Sequence, residues 1–242
     1  MSIVLGVVLV AATLLLPAQT SVAAAGHGGA MTKRFARELV KFRQRDRSPY
    51  RIEHVTELQW RLKREGKFRF RPNGRYGTAT RAGVKRFQRR HDLRVSGNAN
   101  KATWRVLLKR SNKNMRGARR RCRGSGWHVC YDRRNHQTTL WRNGRLWNSW
   151  LVRGGSSGHK TRTGTFTVFR RDKDHTSSLF GSPMPYSQFF SGGQALHGSR
   201  NMMDPYEGHS HGCVNMFVED ARQLWSLTHD RRLRVHVYGR WS

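Results

Sequence analysis

The sequence predicts an α+β chain of two units: a small three-helix bundle followed by a mainly-β, sandwich-like domain. Three observations predict it. Apolar residues recur at helical spacing between residues 51 and 110. They alternate with period two in short runs from Trp127 onward. A basic, Gly-containing stretch with neither period separates the two regions.

Residues 1–25 read as a signal peptide. Ile3 to Leu16 form its apolar core, Pro17 follows, and Ala23-Ala24-Ala25 offers a cleavage site after Ala25. No Lys or Arg precedes the core, so an uncleaved anchor is the alternative; the run is short for a span of about 20 residues. Residues 26–50 turn basic from Lys33 to Arg47 and read as a solvated linker. In 51–110, Val55, Leu58 and Leu62 mark a first helix that stops at Gly66. Asn73-Gly74 marks a turn. Thr78 is placed to cap a second helix running to about His91, and Asn100 a third carrying Thr103, Val106 and Leu107 inward. Residues 111–124, with Arg119-Arg120-Arg121, read as a second basic linker. In 125–242, strands are expected at Trp127–Tyr131, at Thr138–Trp141 and Leu146–Trp147 around an Asn143-Gly144 hairpin turn, and at Trp150–Val152, Thr163–Phe169 and Leu233–Tyr238. One helix is expected between Glu219 and Leu227.

The 242 residues carry 47 Lys plus Arg against 14 Asp plus Glu, a formal charge of +33. Such an excess concentrates anionic polymers. Nucleic acid, anionic lipid and anionic wall polymers all qualify by charge, and the export signal argues against nucleic acid. Membrane contact is expected only through the signal peptide before cleavage. Of the three cysteines, Cys122 and Cys130 could pair across a short loop or stay reduced; Cys213 is the odd thiol.

Cys213 carries the chemistry. It lies in Ser210-His211-Gly212-Cys213-Val214-Asn215, with His211 two residues before it and His197-Gly198 sixteen upstream. A thiol attacks well only once a base or positive surroundings make it a thiolate. His211 would share a strand face with Cys213, so both histidines are candidate bases. Gly212 lets the backbone approach a substrate. His197, His209, His211 and Cys213 could also be read as a zinc set, but structural zinc motifs use other spacings, and no metal or cofactor is expected.

Two blocks resemble known families. Val55-x-x-Leu58-Gln59-x-x-Leu62-x-x-x-Gly66, Asn73-Gly74-x-x-Gly77-x-x-Thr80, Phe87-Gln88, Val95-x-Gly97 and Thr103-Trp104 resemble the three-helix peptidoglycan-binding domain, with Asn73 where that family usually has Asp. His197-Gly198, Ser210-x-Gly212-Cys213-x-Asn215, Arg162-Thr163-Gly164-Thr165-Phe166 and the block from Asp174 to Tyr186 resemble the YkuD-type L,D-transpeptidase catalytic domain. Here Arg162 stands where Pro is common and Asn215 where Arg is common. The resemblance implies a Cys213 acyl-enzyme, His197 as its base, and a carbonyl near Gly198 or Ser199 fixing the imidazole. It implies an oxyanion hole from the N–H groups of Gly212 and Cys213 with His211 beside them. Ser210, Asn215, Gly198, Ser199 and Tyr186 are then the substrate-binding candidates. The implied partners are peptidoglycan stem peptides and glycan. The implied role is 3→3 cross-linking in cell-wall biogenesis and cell shape, by an enzyme exported to the wall or secreted. L,D-carboxypeptidase activity, protein anchoring and a non-catalytic wall-binding protein are the alternatives.

Overall fold

The computed structural model describes residues 31–241. The signal segment expected at 1–25 lies outside the described residues. Three helices, α1 (Val55–Arg64), α2 (Thr78–Arg90) and α3 (Lys101–Arg110), enclose a core of Val55, Leu58, Leu62, Val84, Phe87 and Trp104. Asn100 caps α3, its side-chain oxygen accepting the Thr103 N–H at 3.0 Å. Gly77, not Thr78, holds the cap position of α2, without a side-chain bond. Gly74 turns at φ +67, and the Gln59 side chain accepts the N–H groups of Asn73 and Gly74, which pins this turn to α1.

Among the described residues, the expected solvated linkers are packed at their apolar positions. Phe35 and Val40 are buried in the helical core, and the Phe35 N–H donates to the Trp147 carbonyl at 3.0 Å. Their few apolar side chains find partners from distant parts of the chain; Arg37, between them, is buried as well, while Lys33, Lys41 and Arg43 stay exposed. Residues within 111–124 form α4 (Met115–Arg121), capped by Asn114; Ala118 and Cys122 pack on Cys130, Trp141 and Tyr238. Cys122 and Cys130 form a disulfide with Cα atoms 6.3 Å apart, which ties α4 to the sheet beneath it; Cys213 is free.

The second unit is two sheets. β1 (Trp127–Asp132), β2 (Gln137–Arg142), β3 (Arg145–Leu151), β4 (Gly164–Thr167) and β9 (Leu233–Tyr238) make a five-stranded sheet in the order β3-β2-β1-β9-β4. β5 (Arg170–Thr176), β6 (Pro183–Ser191), β7 (Gln194–Gly198) and β8 (Val214–Met216) make a four-stranded sheet in that order. α5 (Val218–Thr228) packs on β6 and β7. Val129, Leu140, Trp150 and Val235 from the first sheet meet Leu196, Val214 and Met216 from the second, with Leu224 of α5. The Asn143-Gly144 turn has φ of +49 and +69, the geometry a two-residue hairpin needs. The two strands expected beyond it are one continuous β3.

The units share a buried polar seam. Glu57 of α1 accepts from Arg37 Nε at 3.0 Å and from Arg61 Nε at 2.7 Å. Both arginines also donate to the Ser149 carbonyl on β3, at 2.8 and 3.0 Å. Arg37 reaches Gln223 of α5 at 3.0 Å, and His54 bridges Glu38 and Asp220 of α5. Burial alone would raise the Glu57 carboxyl, but Arg37 and Arg61 hold it at about 2.

Candidate active site

β7 and β8 pair in parallel, with His197 opposite Asn215 and Leu196 opposite Val214. Strand alternation puts Leu196, Val214 and Met216 in the inter-sheet core. Ala195, His197, Cys213 and Asn215 therefore share the other face. This places the Cα atoms of Cys213 and His197 roughly 8 Å apart on a diagonal, from strand spacing and rise. Cys213 is half-buried against Met184, Phe189 and Ala195, and its Sγ lies 3.7 Å from the Gly193 carbonyl oxygen.

The imidazole of His197 is buried, and its Nδ1 lies 2.8 Å from the Gly198 carbonyl oxygen. A carbonyl only accepts, so Nδ1 carries the hydrogen and Nε2 keeps its lone pair. Burial lowers this imidazole to about 4, with His175 and Arg153 adding to the effect. Burial likewise raises the Cys213 thiol, against a bond from the Ala195 N–H. At neutral pH the pair rests as thiol and neutral imidazole rather than as an ion pair. Asn215 lies beside the ring and favours its charged form, yet its buried Oδ1 lacks a partner at normal hydrogen-bond distance.

The backbone before Cys213 is tightly held. Gly212 adopts φ +118, and a Cβ there would sit 2.4 Å from Gln194 Nε2. Its N–H donates to Ser210 Oγ at 3.0 Å, and that hydroxyl donates to the Cys213 carbonyl at 2.6 Å. The expected oxyanion role of the Gly212 N–H therefore needs correction: Ser210 already occupies it. His211 is exposed, stacked on Phe180 at 4.4 Å and edge-on to His159 at 5.0 Å; neither partner is Cys213. His209 lies against Trp241, and the four residues read as a zinc set form none of the groups of donors that come within reach of one ion among the described residues. Gly198 is packed against Pro185 and Val218, and Ser199 is buried with its N–H on the Met216 carbonyl. The Tyr186 ring meets Trp225 of α5 at 6.2 Å and packs on the main core.

Several residues of this region gave no sequence signal. Gln194 braces Gly212 and accepts the Arg162 N–H at 2.9 Å. Arg153 is buried and donates to the carbonyls of Asn201 and Glu207, which clamps the loop before Cys213. Helix α1 grips the same loop: Trp60 Nε1 donates to Asp204 at 2.9 Å and its ring stacks on Tyr206 at 4.1 Å. Two other groups of metal-type donors exist among the described residues. In one, Cys122 is tied up in the disulfide; in the other, Glu57 and Asp220 already face Arg37.

Residues 51–107 match the peptidoglycan binding domain and residues 126–237 match the L,D-transpeptidase catalytic domain. The second unit belongs to the L,D-transpeptidase family. An L,D-transpeptidase from Stackebrandtia nassauensis is similar over 86% of this chain and 98% of its own, at 23% identity and a TM-score of 0.52. At that identity it shows the shared fold alone. Another from Xylanimonas cellulosilytica DSM 15894 covers 84% of this chain and 98% of its own at 25% identity, with a TM-score of 0.47. A search of the curated proteins gave no match. The His-Gly block of the transpeptidase domain thus ends β7, and its Ser-x-Gly-Cys block is the loop that leads into β8, beside the half-buried thiol. No helix among the described residues is long and apolar enough to cross a membrane.

Proposed function

We propose that this chain is an exported enzyme that forms 3→3 cross-links in peptidoglycan through an acyl-enzyme on Cys213. The observation that carries the reading is the placement of His197, tautomer set by the Gly198 carbonyl, on the same sheet face as Cys213. Cys213 Sγ attacks the carbonyl of the third stem residue as His197 Nε2 takes the thiol proton. The bond to the terminal D-Ala breaks, and the departing amine takes that proton. An amine of a neighbouring stem then attacks the thioester, gives its proton to His197, and releases the thiol. The Cys213 N–H stabilises the oxyanion, and Asn215 Oδ1 receives a stem amide N–H. The helical unit holds the enzyme on its polymer and raises the local stem concentration.

Water as the acceptor would give L,D-carboxypeptidase activity, and a protein amine would give anchoring. The test is mass-spectrometric sequencing of products from purified tetrapeptide muropeptides. Dimers joined between third residues support the proposal; tripeptides alone would replace cross-linking with hydrolysis. The base is tested by comparing His197→Ala with His211→Ala. Loss of thioester formation only in the second variant would move the role to His211.

A further inference from the structure

We propose that the groove between α3, α4 and the β2–β3 hairpin is a binding site for an anionic phosphodiester polymer of the wall, separate from the Cys213 site. The groove encloses about 540 Å³ and continues into a second hollow of about 310 Å³, with Arg34 and Arg145 lining both. Lys109, Arg119 and Arg142 complete its cationic lining. Among the described residues, no carboxylate lines it and none of these five cations forms an ion pair.

The arrangement brings like charges close together. Arg142 and Arg145 are directly opposed across the hairpin, where like charges repel. Burial and the nearby Arg145 and Arg105 lower the Arg34 guanidinium, so these cations crowd one another. They are nonetheless held in place. Arg34 Nε donates to the Leu146 carbonyl at 2.6 Å and its guanidinium lies over Phe35 at 4.8 Å. Lys109 lies over the same ring at 5.5 Å. Arg142 lies over Trp127 and Trp147 at 5.3 and 5.6 Å. Trp147 lines the second hollow, and its buried Nε1 finds no acceptor among the described residues.

Four guanidiniums favour phosphate, whose oxygens accept their paired N–H groups. A concave, elongated lining suits a flexible chain with charges at intervals better than a flat bilayer. The large exposed apolar side chains, among them Phe169, Leu179 and Phe180, lie on other segments. β3 runs from this groove to the catalytic loop: Arg145 begins it, and Arg153 just beyond its end pairs with Asn215. Eight residues of extended chain separate the sites by about 25 Å, so a bound polymer leaves Cys213 open. The choice of a wall polymer over nucleic acid rests on the extracytoplasmic reading above; the phosphodiester chemistry does not.

The test uses the full mature chain and a synthetic glycerol-phosphate oligomer, titrated at several salt concentrations. Arg119→Gln/Arg142→Gln/Arg145→Gln is compared with Arg89→Gln/Arg90→Gln/Arg94→Gln, which removes equal charge from exposed positions around the end of α2. The first triple is expected to weaken binding roughly 10- to 100-fold and to reduce the salt slope by about 2, the control by less than about 3-fold. Equal losses in both would reduce the groove to part of a diffuse cationic surface and overturn the proposal. A groove-specific loss on phosphatidylglycerol vesicles but not on the oligomer would overturn it in favour of a membrane surface. Tighter groove-specific binding of an oligothymidylate than of the oligomer would overturn the choice of a wall polymer. Cys213 acylation by a tetrapeptide donor is measured in the same variants and is expected to stay at the parent level. This separates failure of the groove from failure of the transpeptidase reading.

Discussion

Glu57→Gln is the perturbation that most directly probes how the helical unit is joined to the catalytic one. Glu57 is fully buried and accepts from two guanidiniums, Arg37 and Arg61, which in turn hold the Ser149 carbonyl of β3. An amide keeps the shape but removes the carboxylate that faces Arg61, leaves it beside the like charges of Arg37 and Arg64, and points an N–H donor at one of the two donors. Stranding one side of a buried ion pair costs about 3–5 kcal/mol. For a chain of this size each kcal/mol moves the melting temperature by about 2–4 °C, so a fall of roughly 6–20 °C is expected. Arg61→Met leaves Glu57 with Arg37 and should cost less than half as much. Because the folded carboxyl sits at about 2, its contribution is complete above the ordinary carboxylate range and fades as pH falls toward 2. Differential scanning calorimetry at pH 7 reads all three proteins. A Glu57→Gln melt within about 2 °C of the parent, or a parent melt in two separate steps, would refute the shared seam.

Other consequences concern the thiol and its loop. Since burial raises Cys213 and holds His197 near 4, alkylation of resting enzyme by iodoacetamide should climb as pH passes the ordinary thiol range near 8.5. A reactive plateau below pH 7 would instead reveal a preformed thiolate–imidazolium pair. Gly212→Ala meets both a φ of +118 and the Gln194 amide at 2.4 Å; a strain of about 1–3 kcal/mol predicts acylation slower by roughly 10- to 100-fold. Adding Gln194→Ala should recover part of that loss, and no recovery would assign the effect to backbone conformation alone. Trp60→Phe keeps the ring on Tyr206 but deletes the bond to Asp204. Acylation should slow about 3- to 10-fold if the loop responds to α1, while rates equal to the parent would make that contact merely adhesive.

Much of the frame was legible because it depends on local pattern. The three helices followed from Val55, Leu58, Leu62, Phe87 and Asn100, and the hairpin from Asn143-Gly144, whose φ values few other residue pairs adopt. Four strands were not legible, among them β8, whose three residues are all buried and too few to show a period. β5 reads Arg-Arg-Asp-Lys-Asp-His-Thr and lies at a sheet edge, so no apolar alternation marks it. β6 contains Pro183 and Pro185, residues that normally argue against a strand away from an edge. β7 is short and buried throughout. The packing of Phe35 and Val40 was hidden in a basic run because their partners are far away in sequence. At the site, the residues of the His-Gly and Ser-x-Gly-Cys blocks were readable from their motif. The braces Gln194, Arg153 and Trp60 act through contacts between distant segments and leave no spacing to detect.

The central claim is that Cys213 carries an acyl group with His197 as its base. Intact-protein mass spectrometry after brief incubation with a tetrapeptide stem tests it most directly. The account predicts one added tripeptide acyl mass that maps to Cys213, is absent in Cys213→Ala, and forms far more slowly in His197→Ala. An unmodified parent protein that still turns over the stem, or an adduct mapping to another residue, would contradict it.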